Sequence, residues 1–447
     1  MLKVREVKID FNPLEIYNIF KNEKDTILLD SSKEDENLSK FSFIGLNPFM
    51  IFESKANKAF IDGKEVDGDP FLVLDNLIRK YKVSEDIFTS IPLLSGAIGY
   101  ISYDVCRILE NIPDSSEEDF KISDMKFIFY NNIIIFDLKN NKQYITSLNG
   151  EDEEINDIQN KIKEAIHLAE EIVQEVNKEF ISNFNKKDYK SAINKLKNYI
   201  VSGDVYIANM TQRFYTENIE DSFEIYKKLR SINKAPFSAF MNFEDFQIIS
   251  SSPERFLEIN NRKVITRPIK GTRPRGKNKE EDIKNSLELL NSEKDKAELL
   301  MVVDLERNDL SKVCKPHSVK VTELFKLETY ATVFHLVSTV EGILKDDVSS
   351  IKCIKECFPG GSITGTPKIR AMEIIEELEG LKRNIYTGSI GYFDFRGNAD
   401  FNIAIRTIVK KNNKAYFGVG GGITYDSIEE DEYNETLDKA KALMRVL

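Results

Sequence analysis

Residues 267–276 read Arg267-Pro268-Ile269-Lys270-Gly271-Thr272-Arg273-Pro274-Arg275-Gly276, a basic segment whose prolines and glycines favour turns. It places one lysine, Lys270, among three arginines. A lysine near other cations has a lowered pKa, so more of its amine is uncharged and nucleophilic. Glu254 lies upstream in Ser251-Ser252-Pro253-Glu254-Arg255-Phe256, and its carboxyl group could move protons at a leaving group. The alternative interpretation is a basic loop on a solvated face.

The composition limits the class of protein. A chain of 447 residues is too long for one ordinary core and predicts two domains or one large composite fold. No apolar run reaches membrane-spanning length, so we expect no membrane segment. The net charge of -11 argues against a nucleic-acid partner, because phosphate contacts need a basic surface. The basic segment is therefore interpreted as a site for a small anion.

Cysteine and histidine are scarce. The chain has 4 cysteines and 3 histidines, which predicts a reducing, cytoplasmic location. Cys353 and Cys357 stand at i,i+4 spacing, but so few histidines favour packed thiols over a zinc site. A catalytic metal would therefore have to be held by oxygen ligands.

The first part of the chain predicts strands followed by helices. Short β-type runs occur at 26–29, 127–130 and 133–136. An apolar repeat of three to four residues over 151–178 predicts one long helix. A polar stretch and a second helix, stopping at Ser202-Gly203-Asp204, follow. We place a domain boundary near residue 180, between an N-terminal region at 1–180 and a catalytic domain at 181–447.

The second part mixes both kinds of element. Strands are predicted at 237–241, 246–249, 387–395, 400–409 and 415–420, and helices at 280–308, 350–357, 367–379 and 429–446. Clustered strands of antiparallel type with intervening helices indicate an α+β fold class rather than a doubly wound sheet.

Two acidic pairs recur at helical spacing. Asp295 and Glu298 lie three residues apart and share a helix face, and so do Glu432 and Glu435, with Lys439 one turn further on. Carboxylates from two helices facing a cleft suit Mg²⁺, which prefers oxygen ligands. The alternative is that both helix faces are simply solvated.

Two glycine-rich stretches could bind an anion. Residues 360–368 precede a predicted helix, whose first N–H groups would be free to donate. Residues 418–423 would let backbone amides approach a ligand closely. Neither stretch matches a nucleotide-binding pattern, so a carboxylate ligand is favoured. Both could also be no more than tight turns.

Two polar residues stand in apolar runs. Arg406 needs a partner if buried, and either a ligand carboxylate or a structural salt bridge would serve. His335 is a similar case, which more often marks a satisfied core histidine than a catalyst.

Five co-linear motifs resemble those of the chorismate-utilising enzymes across 185–447. They are the segments 251–256, 268–274, 304–310, 361–373 and 386–392. Lys270 in Pro268-Ile269-Lys270-Gly271-Thr272 resembles the aminodeoxychorismate synthase branch, large subunit or component I, where that lysine is the nucleophile. Anthranilate synthase component I typically carries alanine there. The fold implied is the family's α/β sandwich, two antiparallel sheets packed face to face with helices outside.

The resemblance also implies roles for individual residues. Glu254 would be the general acid/base and Lys270 the nucleophile. Residues matching the Mg²⁺ site are the ligands Glu298 and Glu435 and the supporting carboxylates Asp295 and Glu432. Residues matching the grip on substrate carboxylate and further active-site positions are Tyr386, Arg406, Gly421, Gly422, Ser362, His335 and Lys439.

The N-terminal half resembles the family less closely. Segment 28–32 corresponds to a region that helps form a tryptophan pocket in relatives, so tryptophan is a candidate ligand. Ile207 departs from the family, where glutamine is usual and isochorismate synthases have a lysine that activates water. Because isoleucine cannot act as a base, the water-adding branch is disfavoured.

The implied activity is amination of chorismate to 4-amino-4-deoxychorismate, for 4-aminobenzoate and folate synthesis. No cysteine-centred glutaminase segment is apparent, so ammonia would come from a glutamine amidotransferase subunit. The alternatives are anthranilate synthase component I and a non-catalytic regulatory protein that binds chorismate or tryptophan.

Overall fold

The computed structural model describes residues 2–32, 38, 40–84, 88, 90–169, 171, 173, 178–217, 219, 221–329 and 333–447. Strands within these ranges are β1 (Lys3–Val7), β2 (Thr26–Asp30), β3 (Phe41–Lys55), β4 (Lys58–Ile61), β5 (Lys64–Val66), β6 (Gly96–Ile101), β7 (Met125–Asp137), β8 (Lys142–Ser147), β9 (Ile181–Ser182), β10 (Ile207–Glu217), β11 (Phe237–Asn242), β12 (Phe246–Ser252), β13 (Arg255–Asn260), β14 (Lys263–Arg267), β15 (Ile269–Pro274), β16 (Lys320–Thr329), β17 (Val333–Ile343), β18 (Gly365–Thr366), β19 (Ser389–Asp394), β20 (Ala399–Asn402), β21 (Thr407–Lys411) and β22 (Lys414–Ile423).

Helices in the same ranges are α1 (Pro13–Phe20), α2 (Pro70–Lys80), α3 (Cys106–Leu109), α4 (Asp152–Ile162), α5 (Lys186–Val201), α6 (Ser222–Ile232), α7 (Lys279–Asn291), α8 (Glu293–Val313), α9 (Ser350–Cys357), α10 (Lys368–Glu379) and α11 (Glu429–Val446). Two short 3₁₀ turns lie at Tyr103–Val105 and Gly361–Ile363. Among the helices of the described part, none is long and apolar enough to cross a membrane.

The strands build two antiparallel sheets that share the long strands β3 and β7. One sheet runs in the order β10–β22–β21–β12–β11–β2–β3–β7–β8–β1. The other continues from the opposite ends of β3 and β7 in the order β6–β19–β20–β13–β14–β17. Strands β15 and β16 each pair with β17.

Alternation along the strands separates an inner core from two outer ones. In β6, Ile98 and Tyr100 join an inner cluster that contains Met241 and Tyr392 from both sheets. Their neighbours face the other way, where Ala97 packs with residues of α2, α8 and α9. Helices α1, α4, α6 and α11 cover the outer face of the first sheet. Because successive strand residues point to opposite faces, each sheet buries both sides. The α+β sandwich with helices outside is therefore confirmed.

The predicted helix over 151–178 is shorter than expected. Helix α4 ends at Ile162, and described residues 163–169 are not helical. Leu168 N–H donates to Glu15 Oε1 at 3.3 Å, and the His167 ring also bonds that oxygen. The tertiary partner on α1 thus replaces the helical acceptor for that amide. Predicted helical positions 172 and 176 lie outside the described residues.

Two other predicted elements are interrupted. The helix expected at 280–308 is split into α7 and α8 by Ser292, whose hydroxyl caps α8 by accepting the Asp295 N–H at 3.2 Å. The strand expected at 400–409 breaks between β20 and β21, where Arg406 has a φ of 51° and Ile403 N–H donates to the Glu254 carbonyl at 3.0 Å. Conversely, the runs at 127–130 and 133–136 form the single strand β7.

Strands from both sides of residue 180 pair with one another. Strand β2 pairs with β11 and β6 pairs with β19. Buried Arg396 adds a link, because it donates to the Ile91 carbonyl at 2.7 Å and to Asp394. The proposed domain boundary near residue 180 stays a prediction, but the hydrogen bonding of the two halves is continuous across it.

Candidate active site

Lys270 lies in β15, where its side chain reaches the 3₁₀ turn at Gly361–Ile363. Its Nζ donates to the Ser362 carbonyl oxygen at 3.0 Å. Gly422 of β22 lies close by, since a Cβ at that position would be 3.5 Å from Nζ and 3.0 Å from Ile207 Cδ1. The Nζ group is therefore held against the backbone of the Ser362 turn and close to Gly422.

The pKa of Lys270 lies below its usual value. Burial is the main cause, because the charged ammonium loses hydration. The carboxylates of Glu298 and Glu254 oppose this shift, and the positive charge of Lys439 adds to it. The direction agrees with the sequence prediction.

The predicted physical cause of that shift was wrong. The three arginines of the segment are engaged elsewhere: Arg267 pairs with Glu328, Arg273 with Glu288, and Arg275 with Asp282. These pairs neutralise the arginine charges locally. The lysine loses its proton more readily because it is buried beside another lysine.

Glu254 lies in the connection between β12 and β13 and is 5% exposed. Its carboxylate lies close enough to the Ser362 side chain and the Ile269 N–H for both to favour its ionised form. Burial raises its pKa above the usual value, and Ser362 and the Lys270 charge only partly offset that rise. A raised carboxyl pKa keeps a proton available nearer neutral pH, as a general acid requires. Ser362 thus contacts both candidate catalytic side chains.

The two acidic helices bring their carboxylates to this same site. Burial raises the pKa of Glu298 on α8, and Glu432 on α11 raises it further. Burial also raises the pKa of Glu432, whose carboxylate accepts the Ser427 hydroxyl at 2.6 Å. Asp295 pairs with Arg273 at 3.1 Å. Because the two helices interact electrostatically, the solvated-face interpretation is disfavoured.

Glu435 and Lys439 form an ion pair on α11 at 2.6 Å. Burial pushes the pKa of Glu435 up, but Lys439 more than offsets it, so the pKa lies below its usual value. Lys439 Nζ also donates to the Gly420 carbonyl at 2.8 Å. A Cβ at Gly421 would lie 3.4 Å from Glu435 Oε1, so β22 runs directly beside this pair.

The carboxylates of Glu298, Glu432 and Glu435 offer oxygen atoms, which are the ligands that Mg²⁺ prefers. In the described residues, no three His, Cys, Asp or Glu side chains are close enough together to form a metal site. Even so, the site contains carboxylates that repel one another, and the charge of Glu435 raises the pKa of Glu432 in this way. A divalent cation would relieve that repulsion, and oxygen donors suit Mg²⁺. The residues therefore fit the ion chemically.

Tyr386, Arg406 and His335 contact other residues of the described structure. The Tyr386 ring packs on Gly418, where a Cβ would come within 2.2 Å of it. Arg406 donates to Asn233 Oδ1 at 3.1 Å. His335 is buried, and its Nδ1 is 2.9 Å from Thr272 Oγ1, two residues beyond Lys270 in β15. The centre that the structure assembles consists of Lys270, Glu254, Ser362, Gly421, Gly422, Glu298, Glu432, Glu435 and Lys439.

Sequence reasoning missed Lys294. Its Nζ is 3.9 Å from Glu298 Oε1, and its charge lowers the pKa values of Glu298, Glu432 and Glu435. The signal was present, because Lys294 and Glu298 stand at the i,i+4 spacing of a helical ion pair.

Comparisons with known proteins identify the family. A model of chorismate binding enzymes matches residues 24–445. Anthranilate synthase component 1 of Acetivibrio thermocellus is 37% identical over 97% of this chain and 92% of the relative. Aminodeoxychorismate synthase component 1 of Bacillus subtilis is also 37% identical, over 95% of this chain and 92% of the relative.

A solved structure agrees with these matches. Anthranilate synthase component I from Streptococcus pneumoniae has a TM-score of 0.82 at 32% identity, covering 91% of this chain and 92% of that one. The chain therefore belongs to the chorismate binding enzyme family. Because relatives with two different activities are equally identical, 37% each, the reaction has to be argued from the site.

The raised pKa of Glu254 leads to a stability prediction. We expect Glu254→Gln to stabilise the ligand-free protein increasingly as pH is raised from mildly acidic to alkaline values. Ionising the buried carboxyl costs free energy only in the folded state; this cost is absent below the unfolded pKa and complete above the folded one. The measurement is the urea midpoint of both proteins across that pH range.

Asp282→Asn is the matched control with the opposite sign. Arg275 lowers the pKa of Asp282 to about 2. Its ionised form therefore stabilises the fold throughout the same pH range, and the variant should lose stability by a constant amount. A Glu254→Gln midpoint that is unchanged, or lowered, at high pH would show that Glu254 is not a desolvated carboxyl.

Proposed function

We propose that this chain is the chorismate-binding large subunit of an aminodeoxychorismate synthase. It would convert chorismate and ammonia to 4-amino-4-deoxychorismate. The observation that carries the proposal is the pairing of Lys270 and Glu254 through Ser362, with Lys270 held by its carbonyl at 3.0 Å. The lysine supplies a nucleophile and the carboxyl group supplies a proton. A family member with alanine at this position would lack the nucleophile.

The first chemical step uses both side chains. The uncharged Lys270 amine adds to carbon 2 of chorismate, and the two conjugated ring double bonds shift, from C1=C2 to C1=C6 and from C5=C6 to C4=C5, as the bond from carbon 4 to its hydroxyl breaks. Glu254 gives its proton to the departing hydroxyl, which leaves as water. The lowered pKa of Lys270 and the raised pKa of Glu254 both favour this pair of protonation states.

The second step reverses the shift. Ammonia forms a bond to carbon 4, both ring double bonds return to C5=C6 and C1=C2, and the bond from carbon 2 to Lys270 Nζ breaks. Glu254, now a carboxylate, is placed to take the proton that ammonia loses. The enolpyruvyl side chain takes no part in either step, so the product keeps it.

A Mg²⁺ ion bound by acidic side chains, together with hydrogen-bond donors of the protein, would hold the two substrate carboxylates. Glu298 and Glu435 would bind Mg²⁺, supported by Asp295 and Glu432, and the ion would neutralise a substrate carboxylate and polarise the ring. Arg406, Tyr386 and the N–H groups of Gly421 and Gly422 would grip a carboxylate by donating hydrogen bonds. This division lets a protein of net charge -11 bind a dianion.

The ammonia would come from a glutamine amidotransferase subunit. The four cysteines are all buried, whereas a glutaminase needs an accessible thiolate beside a base. The aminodeoxychorismate synthase relatives are each named component 1, which supports an assembly of more than one subunit.

A cavity beside β2 is the proposed tryptophan pocket. It has a volume of about 170 Å³ and lies between β2 and the second half of the chain. Leu29, Phe43 and Tyr392 provide apolar walls, and Asp30 and Arg255 provide charge. This mixed lining suits an amino acid with a large aromatic side chain.

The activity test is an incubation with chorismate, an ammonium salt and Mg²⁺ at alkaline pH, with mass analysis of the product. We expect 4-amino-4-deoxychorismate from the wild type. Lys270→Ala should lower kcat by about 10²-fold or more, because it removes a group that acts in the transition state. Lys345→Ala is the control, since Lys345 also donates to a backbone carbonyl but lies outside the site. Anthranilate as the product, or full activity of Lys270→Ala, would contradict the proposal.

The metal proposal has its own test. Calorimetric titration of Mg²⁺ should show weaker binding for Glu298→Gln and Glu435→Gln than for Asp295→Asn. Loss of a ligand removes charge at the ion, whereas loss of a supporting group costs roughly 10–100-fold in affinity. Equal affinities for wild type and all three variants would mean that these carboxylates do not bind the ion.

A further inference from the structure

Glu306 is a buried carboxyl group that the proposed chemistry does not use. It lies on α8 and is 3% exposed. One carboxylate oxygen accepts the Gly361 N–H at 3.0 Å, and the other accepts the Thr266 hydroxyl at 3.4 Å. Both partners are donors, so the ionised carboxylate satisfies each of them.

The first of these bonds leads directly to the catalytic pair. Gly361 precedes Ser362, whose carbonyl accepts from Lys270 Nζ and whose side chain lies near Glu254 and lowers its pKa. The Gly361–Ile363 turn packs closely against α8, because a Cβ at Gly361 would lie 2.7 Å from Leu305 and 3.0 Å from Glu306 Oε1. A larger residue at position 361 would have to displace these side chains.

The same helix also fixes the far end of the loop. Asp309 accepts from Lys368 Nζ at 2.5 Å. Lys368 in turn donates to the carbonyls of Cys357 and Pro359, at 2.9 and 2.7 Å. Helix α8 thus holds the segment between α9 and α10 on both sides of Ser362.

We propose that Glu306 is a positioning residue, which holds the Gly361–Ile363 turn so that Ser362 orients Lys270 and Glu254. The inference rests on the proposed catalytic roles of those two side chains. Glu306 acts through the Gly361 amide and does not itself touch the substrate.

The charge of Glu306 makes the bond dependent on pH. Burial raises its pKa to about 7, and Asp309 on the same helix raises it as well. Lys368, at the start of α10, and the Gly361 N–H oppose the rise, while Glu254 adds to it. A protonated carboxyl is a weaker acceptor than a carboxylate. Protonation should therefore loosen the turn as pH falls through about 7.

Two variants separate this role from a purely structural one. Glu306→Ala leaves the Gly361 N–H without an acceptor, and we expect kcat for chorismate to fall about 10²-fold, as for a small displacement of catalytic groups. Glu306→Gln keeps an oxygen acceptor and should retain kcat within about tenfold of wild type. The KM for chorismate should change little in either variant.

The control is Glu376→Ala. Glu376 is also buried and also accepts backbone N–H groups, from Ser115 and Ser116 at 2.7 Å, but it bonds the N-terminal half. The Glu376→Ala variant should have a lower urea midpoint but an unchanged kcat for the folded protein. Comparing urea midpoints for all variants shows whether a loss of activity follows stability.

The pH profile is the decisive readout. The wild-type kcat should contain an ionisation near pH 7 that is absent from Glu306→Gln, while the contributions of Lys270 and Glu254 remain in both. An unchanged profile in Glu306→Gln, or a Glu306→Ala kcat equal to wild type, would overturn the positioning role. If the wild type instead formed anthranilate, the proposed function would fail, yet a Glu306→Ala loss of chorismate turnover would still support the positioning role.

Discussion

Lys270 Nζ donates to the Ser362 carbonyl oxygen at 3.0 Å, and this bond connects β15 to the turn that precedes α10. It fixes the amine at the point where the Ser362 side chain also lies near Glu254. The proposed nucleophile and the proposed proton donor are thereby held at one backbone turn. Each side chain is held in a defined place before substrate arrives, so less conformational freedom is lost in the reaction.

Burial then sets the protonation states of both groups. It lowers the pKa of the lysine and raises that of the carboxyl, since both charged forms lose hydration. Each residue also stabilises the charge of the other, which opposes both shifts. The acidic pairs on α8 and α11 face the same centre and supply the opposite charge that Lys270, Lys294 and Lys439 need.

The sequence was sufficient for the parts of the structure that depend on local pattern or on motif resemblance. Helix α11 and helix α9 have the predicted bounds, because their apolar repeats and ends are local. The sandwich fold followed from the motifs. The sequence could not show where other hydrogen bonds replace those of a predicted helix. Leu168 N–H donates to the Glu15 carboxylate and not within a helix, and the Ser292 hydroxyl caps a new helix inside the expected one.

The site shows the same division. Lys270 and Glu254 could be selected from residue type and resemblance, but the cause of the lysine's shift could not. Only the three-dimensional structure shows that the arginines of this segment form ion pairs away from Lys270, as Arg275 does with Asp282 at 2.6 Å. Glu306 lies in the motif at 304–310, but the motif alone did not single it out, because its proposed role depends on one hydrogen bond to Gly361.

The central claim is that Lys270 becomes covalently bonded to the substrate ring. The most direct measurement is the intact mass of the protein incubated with chorismate and Mg²⁺ but without any nitrogen source, followed by peptide mapping. Without ammonia the second step cannot occur. The wild type should therefore gain the mass of chorismate less one water, located on Lys270, and Lys270→Ala should gain nothing. A wild-type protein that aminates chorismate when ammonia is supplied, yet never carries this mass, would contradict the account.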